Sequence, residues 1–437
     1  MRRVLPIAVA AAVLCASQMP ATSTAAPVGA GVAVQAAPAK KAPLVRTKFA
    51  LSAIAAGTNV SGGMVPVNSA PTSAQSIGCN NKANRDKTNV IAALTLPGLG
   101  RLEGVSTRVW TEKRGNLVAS NAEHKIARLV LAQNAIGSLE IEGLTSLSRA
   151  FNNNGRYGTS STTRIAKIVL KLADRPAVTL PIPTPGRPLL VPGLVRIAIG
   201  EKISRVTKAG AEQRATALDI QVIPLKTRAR VAPTRARIDG NIKQGIFRGY
   251  AAGVEARGLA DNLSIGRQAL TLMPCQGTLG KPVIRSIAGV DLSTLGNVEG
   301  VSSGLITTNR PAVAKATTAG RVADVSLLDG KVRVKGIVGV ATVTRDRGTT
   351  TRSSAGSTIA EITINGQVVR IPKIGKLEIP GLVKLEDGLE FKRADGLRVV
   401  GLRITVLDGT GAVIDLGIAD AGIGQGVKAP PKKKTKK

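Results

Sequence analysis

Aromatic side chains are scarce: Phe 4, Tyr 2 and Trp 1 amount to 2% of the 437 residues. That leaves few platforms for stacking nucleobases or sugar rings. It also means that a core must be built from Val, Ile, Leu and Ala. A single histidine, His124, and three cysteines leave little material for a metal site or a histidine-based catalytic triad. Acids are few as well, Asp+Glu numbering 27 against 61 Lys+Arg, for a formal net charge of +34. After the first residues no run of roughly 18 apolar residues occurs, so no transmembrane span is expected. Helical periodicity is hard to find anywhere in the chain.

Apolar residues make up 43% of the sequence, which rules out wholesale disorder. The length leaves room for two domains with sizeable cores. Gly (48) and Pro (23) together take about one position in six. Such a density of backbone breakers argues for many short strands joined by turns.

Arg2 and Arg3 precede an apolar stretch, Val4–Ala16, that falls short of the roughly 20 residues needed to span a bilayer. Small residues follow up to Ala25. This is the form of an export signal over 1–25, whose cleavage removes Cys15 and leaves Cys79 and Cys275. An even cysteine count outside the cytoplasm suits one disulfide. Residues 26–48 are Ala/Pro-rich and dotted with Lys, and read as a disordered linker.

A shift of 196 residues lays the sequence on itself. Ala55-Ala56-Gly57 falls on Ala251-Ala252-Gly253, Cys79 on Cys275, and Glu103-Gly104-Val105-Ser106 on Glu299-Gly300-Val301-Ser302. With small gaps, Pro192-Gly193-Leu194-Val195 then recurs as Pro380-Gly381-Leu382-Val383. Leu218–Val222 recurs in pattern as Leu402–Val406. The reading is a tandem duplication over 49–245 and 246–426, with a tail over 427–437.

Lys331–Lys335, Glu361–Ile364 and Leu402–Val406 alternate polar and apolar residues, the period of a half-buried strand. Asp329-Gly330, Asn365-Gly366, Asp387-Gly388 and Asp408-Gly409 supply the positive φ of tight hairpins. Pro192, Pro372 and Pro380 belong at strand ends, bulges or edges. The expected fold is all-β, two tandem homologous antiparallel β-sandwich-like domains.

Gly320–Gly330, Ile379-Pro380-Gly381-Leu382 and Leu402–Val406 resemble the choice-of-anchor P family of secreted or surface-attached actinobacterial proteins. The resemblance spans about residues 50–425. It implies a surface protein with this unit in duplicate, one Cys per copy, and no catalysis. The chain departs from the family where attachment signals are concerned: it has neither a Leu-Pro-x-Thr-Gly sorting motif nor a terminal hydrophobic helix.

The equivalent positions of Cys79 and Cys275 point to a bridge between the copies. His124 aligns with Gly320 and reads as a solvent-facing strand residue, Glu140 and Glu142 as solvated charges. Trp110 aligns with Ile306 and reads as a strand-face hydrophobe, and Tyr157 falls in a polar loop. No catalytic residue, metal site or cofactor motif is expected. Lys428, Lys432, Lys433, Lys434, Lys436 and Lys437 form an extended cationic tail suited to an anionic cell-wall polymer or membrane surface. Arg228, Arg230, Arg235 and Arg237 form a second basic stripe. The expected protein is a secreted, non-enzymatic structural or interaction protein of the cell envelope. The alternative is an extracellular, sequence-independent binder of polyanions or nucleic acid.

Overall fold

The strand Val45–Ala55 opens the fold, inside the stretch 26–48 read above as disordered linker. Val45 and Arg46 pair with Ala83 and Lys82, so backbone pairing captures a segment whose composition gave no signal. The structure, a computed structural model, describes residues 42–62, 72–96, 100–134, 137–173, 175–242, 245–258, 265–310, 312–372 and 375–425. The expected export signal, Cys15 and the Lys428–Lys437 tail lie outside the described residues. Among the described residues no helix is long and apolar enough to cross a membrane.

The chain is all-β, and every strand pair is antiparallel. Strands between Gly245 and Gln425 form two sheets. The front sheet is built on Gly245–Arg257, Val413–Gln425, Gly396–Val406 and Val383–Arg393. The back sheet runs from Val283–Asp291 through Gly296–Arg310, Val313–Leu327 and Val332–Asp346 to Glu361–Ile364. The two face each other across a core in which Val254, Val301, Val325, Ile337, Leu402 and Leu416 are fully buried or nearly so. This second lobe follows the period-two reading closely. Ile362 and Ile364 are buried beside half-exposed Glu361 and Thr363, and Val332 and Val334 alternate with exposed Arg333 and Lys335.

The first lobe has a matching back sheet on Asp86–Leu96, Gly100–Arg114, Leu117–Asn134, Gly137–Asn153 and Lys167–Leu172. Its front layer differs, because it is divided into two five-stranded sheets. One half holds Val45–Ala55, Gln75–Ala83, Gly210–Ala215 and Thr234–Asp239. The other holds Thr58–Gly62, Val195–Ile199, Leu218–Val222 and Thr227–Val231. Irregular hydrogen bonds stitch the halves together, among them Ala232 N to Gly57 O (2.5 Å) and Gly200 N to Ala217 O (3.0 Å).

The back sheets explain the difference. In the second lobe Ser303, Gly320 and Gly339 lie side by side on three neighbouring strands. A Cβ on Gly320 would overlap the Ala252 carbonyl oxygen, and one on Gly339 the Gly417 carbonyl oxygen. The front strands therefore press directly on this glycine row and run through unbroken. In the first lobe the same row is Thr107, His124 and Ser146. Side chains of that size exclude the opposing backbone, and the front layer parts around them. Gly320→Ala is expected to cost about 2 kcal/mol, because the new methyl meets backbone that cannot move aside. Gly78→Ala, whose methyl meets nothing within 4 Å, is expected to stay within about 0.5 kcal/mol. Urea unfolding of the two variants checks the contrast.

His124 is accordingly not at the surface. It is fully buried, which corrects the solvent-facing expectation: the divided layer folds over it. Glu140 is also buried rather than solvated, clamped by Arg128 (2.5 Å) and Lys171 (2.9 Å), and those partners hold its carboxyl below the usual carboxylate range. Asn365-Gly366 turns the hairpin as expected, with both φ positive. Asp387-Gly388 does not. It lies within Val383–Arg393, whose pairing with Gly396–Val406 keeps one register from Asp387↔Leu402 to Leu389↔Val400, so Gly388 takes its positive φ (59) inside a continuous strand. Pro192-Gly193 and Pro380-Gly381 make the same turn in each lobe, with Gly φ of 68 and 70 and a closing bond of 3.1 Å in both.

One ladder is conserved in position but inverted in charge. Asp219 faces Arg230 in the first lobe, where Arg403 faces Asp415 in the second.

Candidate functional site

The lobes meet along a narrow seam. The edge strand Gln75–Ala83 of the first lies against Gly245–Arg257 of the second. Ala50, Ile246 and Cys275 are buried there, with Cys79 and Ile242 packed on them. Cys79 and Cys275 are joined in a disulfide, with Cα atoms 5.4 Å apart, as the duplication suggested. Gln276 Nε2 donates across the seam to the Gly240 carbonyl (2.8 Å) and more weakly to that of Ala209 (3.3 Å). The apolar contact is small, so the bridge and these hydrogen bonds fix the approach.

A cleft opens on each side of the bridge. The first, of about 470 Å³, is walled by Arg46, Lys82 and Arg85 from one lobe and Arg248 and Arg345 from the other. Asp395 is the one acid among its described lining residues, and it pairs with Arg248. Burial without full compensation pushes the Arg248 guanidinium below the usual arginine value. Lys82, Arg85 and Arg345 make no ion pair with that acid, which concentrates positive potential in the groove.

The second cleft, of about 530 Å³, is lined by Arg235, Arg237, Arg248 and Arg267. Arg235 and Arg237 stand on the outer face of the first lobe's front sheet, where Glu212 lies 2.8 Å from Arg235 and 3.4 Å from Arg237. Asp239 takes Arg237 more closely, at 2.7 Å. Burial lowers Arg235 as it lowers Arg248, while Asp239 keeps Arg237 above the ordinary value despite its burial. Arg267 stacks over Tyr250 at 4.1 Å and reaches Glu255 at 3.2 Å.

The basic stripe expected from sequence is thus divided. Ala232-Pro233 separates Arg228 and Arg230, in one half of the front layer, from Arg235 and Arg237 in the other. Arg228 is held by Asp219 at 2.5 Å, and Arg230 lies opposite the same acid. Only Arg235 and Arg237 reach the seam. Trp110 is a strand-face residue, as read from sequence, with Arg108 4.8 Å above its ring. Tyr157 does not sit in an open loop. It stands on the strand Arg156–Arg164 and packs edge-on against Phe49, centroids 6.0 Å apart.

Sequence reasoning missed Arg46, Lys82, Arg85, Arg248, Arg267 and Arg345 as a set. They come from five separate strands and the turn that carries Arg85, and only the cysteine pair marked where those segments converge. No family model matches the chain, and no curated protein does.

Proposed function

We propose that the protein is a secreted, non-enzymatic component of the bacterial envelope that holds anionic polymer in the basic cleft between its lobes. The observation that carries this reading is the wall of Arg46, Lys82, Arg85, Arg248 and Arg345 around a single acid. A polymer of repeating phosphate or carboxylate groups is the ligand class such a wall suits, since rigid guanidinium forks pair with these groups two bonds at a time. The formal net charge of +34 adds long-range attraction, and the six lysines over 428–437 add a second cationic attachment. The resemblance to the choice-of-anchor P family points to the same surface setting. Scarcity of aromatics speaks against stacking of nucleobases.

Retention on an immobilised glycerol-phosphate polymer tests this. Binding is expected to weaken steeply between about 50 and 300 mM salt. The variant Arg46→Gln/Lys82→Gln/Arg85→Gln/Arg345→Gln is expected to bind about tenfold more weakly than the parent. Removal of 428–437 should weaken it separately. Binding indifferent to salt and to the four substitutions sinks the proposal, and equal capture of duplex DNA would favour the polyanion alternative.

A further inference from the structure

The second cleft differs in kind from the first. Its cationic wall is opposed by aliphatic residues: Ile54 of the first lobe, and Leu270, Leu272 and Met273 of the second. Leu272 is 41% exposed, an unusual position for leucine beside four arginines. Gly78 lies on the same wall, and a Cβ there would meet nothing within 4 Å, so the floor has open space. No Asp or Glu is among the described lining residues. The neighbouring acids stand outside that lining: Glu212 holds Arg235 and Arg237, Asp239 holds Arg237 more closely, Glu255 holds Arg267, and Asp395 holds Arg248. Each guanidinium has five donors, and one carboxylate engages at most two of them, so a donor remains for a ligand even on Arg237, which meets both Asp239 and Glu212. The Arg248 Nε is buried with no hydrogen-bond partner among the described residues.

We propose that this cleft is a small-molecule site for a single-chain anionic amphiphile, its phosphate or carboxylate head on the arginines and its alkyl chain along Ile54, Leu270, Leu272 and Met273. Charge complementarity selects the head, since four guanidinium groups converge on the cleft with no carboxylate in its wall. The aliphatic side selects the chain, because exposed Leu272 and half-buried Leu270 lose their remaining water only when an apolar ligand covers them. The cleft volume lies within the range of about 300–1,000 Å³ usual for small-ligand sites. The site is independent of polymer retention in the first cleft, though Arg248 borders both. The disulfide lies in the wall of each, so both clefts depend on the bridge for their shape.

Titration calorimetry of the full oxidised chain with dodecyl phosphate, below its micelle concentration, tests the site. Dodecyl phosphate is expected to bind at least about tenfold more tightly than inorganic phosphate, which lacks the chain. The same margin is expected over dodecyl maltoside, which lacks the charge. Laurate in a parallel arm distinguishes a carboxylate source from a phosphate one. Arg267→Ala and Leu272→Asp, both at exposed positions, should each weaken binding about tenfold with unchanged melting curves. Ile284→Ser, on an apolar patch elsewhere on the second lobe, should not. Equal affinity for inorganic phosphate or for the uncharged detergent overturns the proposal, and so does equal loss with Ile284→Ser. Retention of dodecyl phosphate by the first-cleft quadruple variant keeps this outcome separate from the polymer result.

Discussion

Reduction of the Cys79–Cys275 bridge is expected to lower the first lobe's melting temperature, by as much as about 10–20 °C. The bridge spans 196 residues, and the loop it closes contains nearly all of the first lobe after its opening strands. When that lobe unfolds in the oxidised protein, its chain stays pinned at both ends. Release of this constraint gives the unfolded chain entropy worth at most roughly 5 kcal/mol. A lobe of this size shifts by about 2–4 °C per kcal/mol, which yields the range stated. The second lobe includes only its first strands in the loop, so its transition should move less. Calorimetry with and without reductant, and on Cys79→Ser/Cys275→Ser, reads both transitions. Identical scans of the oxidised and reduced protein would refute the argument. Reduction should also loosen both clefts, since the apolar contact at the seam is small.

Acid is expected to remove about 3 kcal/mol of first-lobe stability through His124 alone, between pH 6.5 and pH 4. Burial pushes this imidazole down from 6.5 to about 4. Thr107 gives its hydroxyl proton to the Ser73 carbonyl (2.6 Å), so His124 Nδ1 must donate to Thr107 Oγ1, 2.7 Å away. The ring is then the neutral Nδ1–H form, with Nε2 buried and unpartnered among the described residues. In the unfolded chain the same ring binds a proton near pH 6.5. Between the two values the unfolded state holds more protons, so stability is full above pH 6.5 and drains away as pH falls towards 4. The size follows from a displacement of about 2.5 units at 1.36 kcal/mol each. The measurement is the slope of unfolding free energy against pH, compared between the parent and His124→Gln. Carboxylates contribute alike to both, so their difference isolates the imidazole. Parallel slopes would remove His124 as the cause.

The strand content, the duplication and the cysteine pairing could be read from the chain because each leaves a local or periodic mark. Period two at Glu361–Ile364 and Leu402–Val406 states which face is wet. Asn365-Gly366 states where the chain reverses. Other features depend on which surfaces meet. Nothing local says that Thr107, His124 and Ser146 displace a layer of backbone, because the serine and two glycines of the matching row sit 196 residues away or close to it. Nor does Glu140 differ in sequence from its exposed neighbours, since Arg128 and Lys171 reach it from adjoining strands. The clefts were hidden for the same reason: arginines at 46, 85, 248 and 345 line a common groove only when two lobes are pinned side by side. Asp387-Gly388 shows the converse error, a turn dipeptide absorbed into a continuous strand because the flanking residues find partners on both sides of it.

Neighbouring lobes of like strand pattern carry a hazard while the chain is still folding, because a strand from one can dock into the other's vacancy. The inverted ladder charges act against that trade. If Leu218–Val222 took the place of Leu402–Val406 beside Val413–Gln425, Asp219 would be set against Asp415. In the reciprocal exchange Arg403 would be set against Arg230. Both mistakes bring like charges face to face on adjacent strands, whereas each correct pairing opposes an acid to a base. The sign reversal between lobes thus lets each strand distinguish its own lobe from the other at the moment of docking.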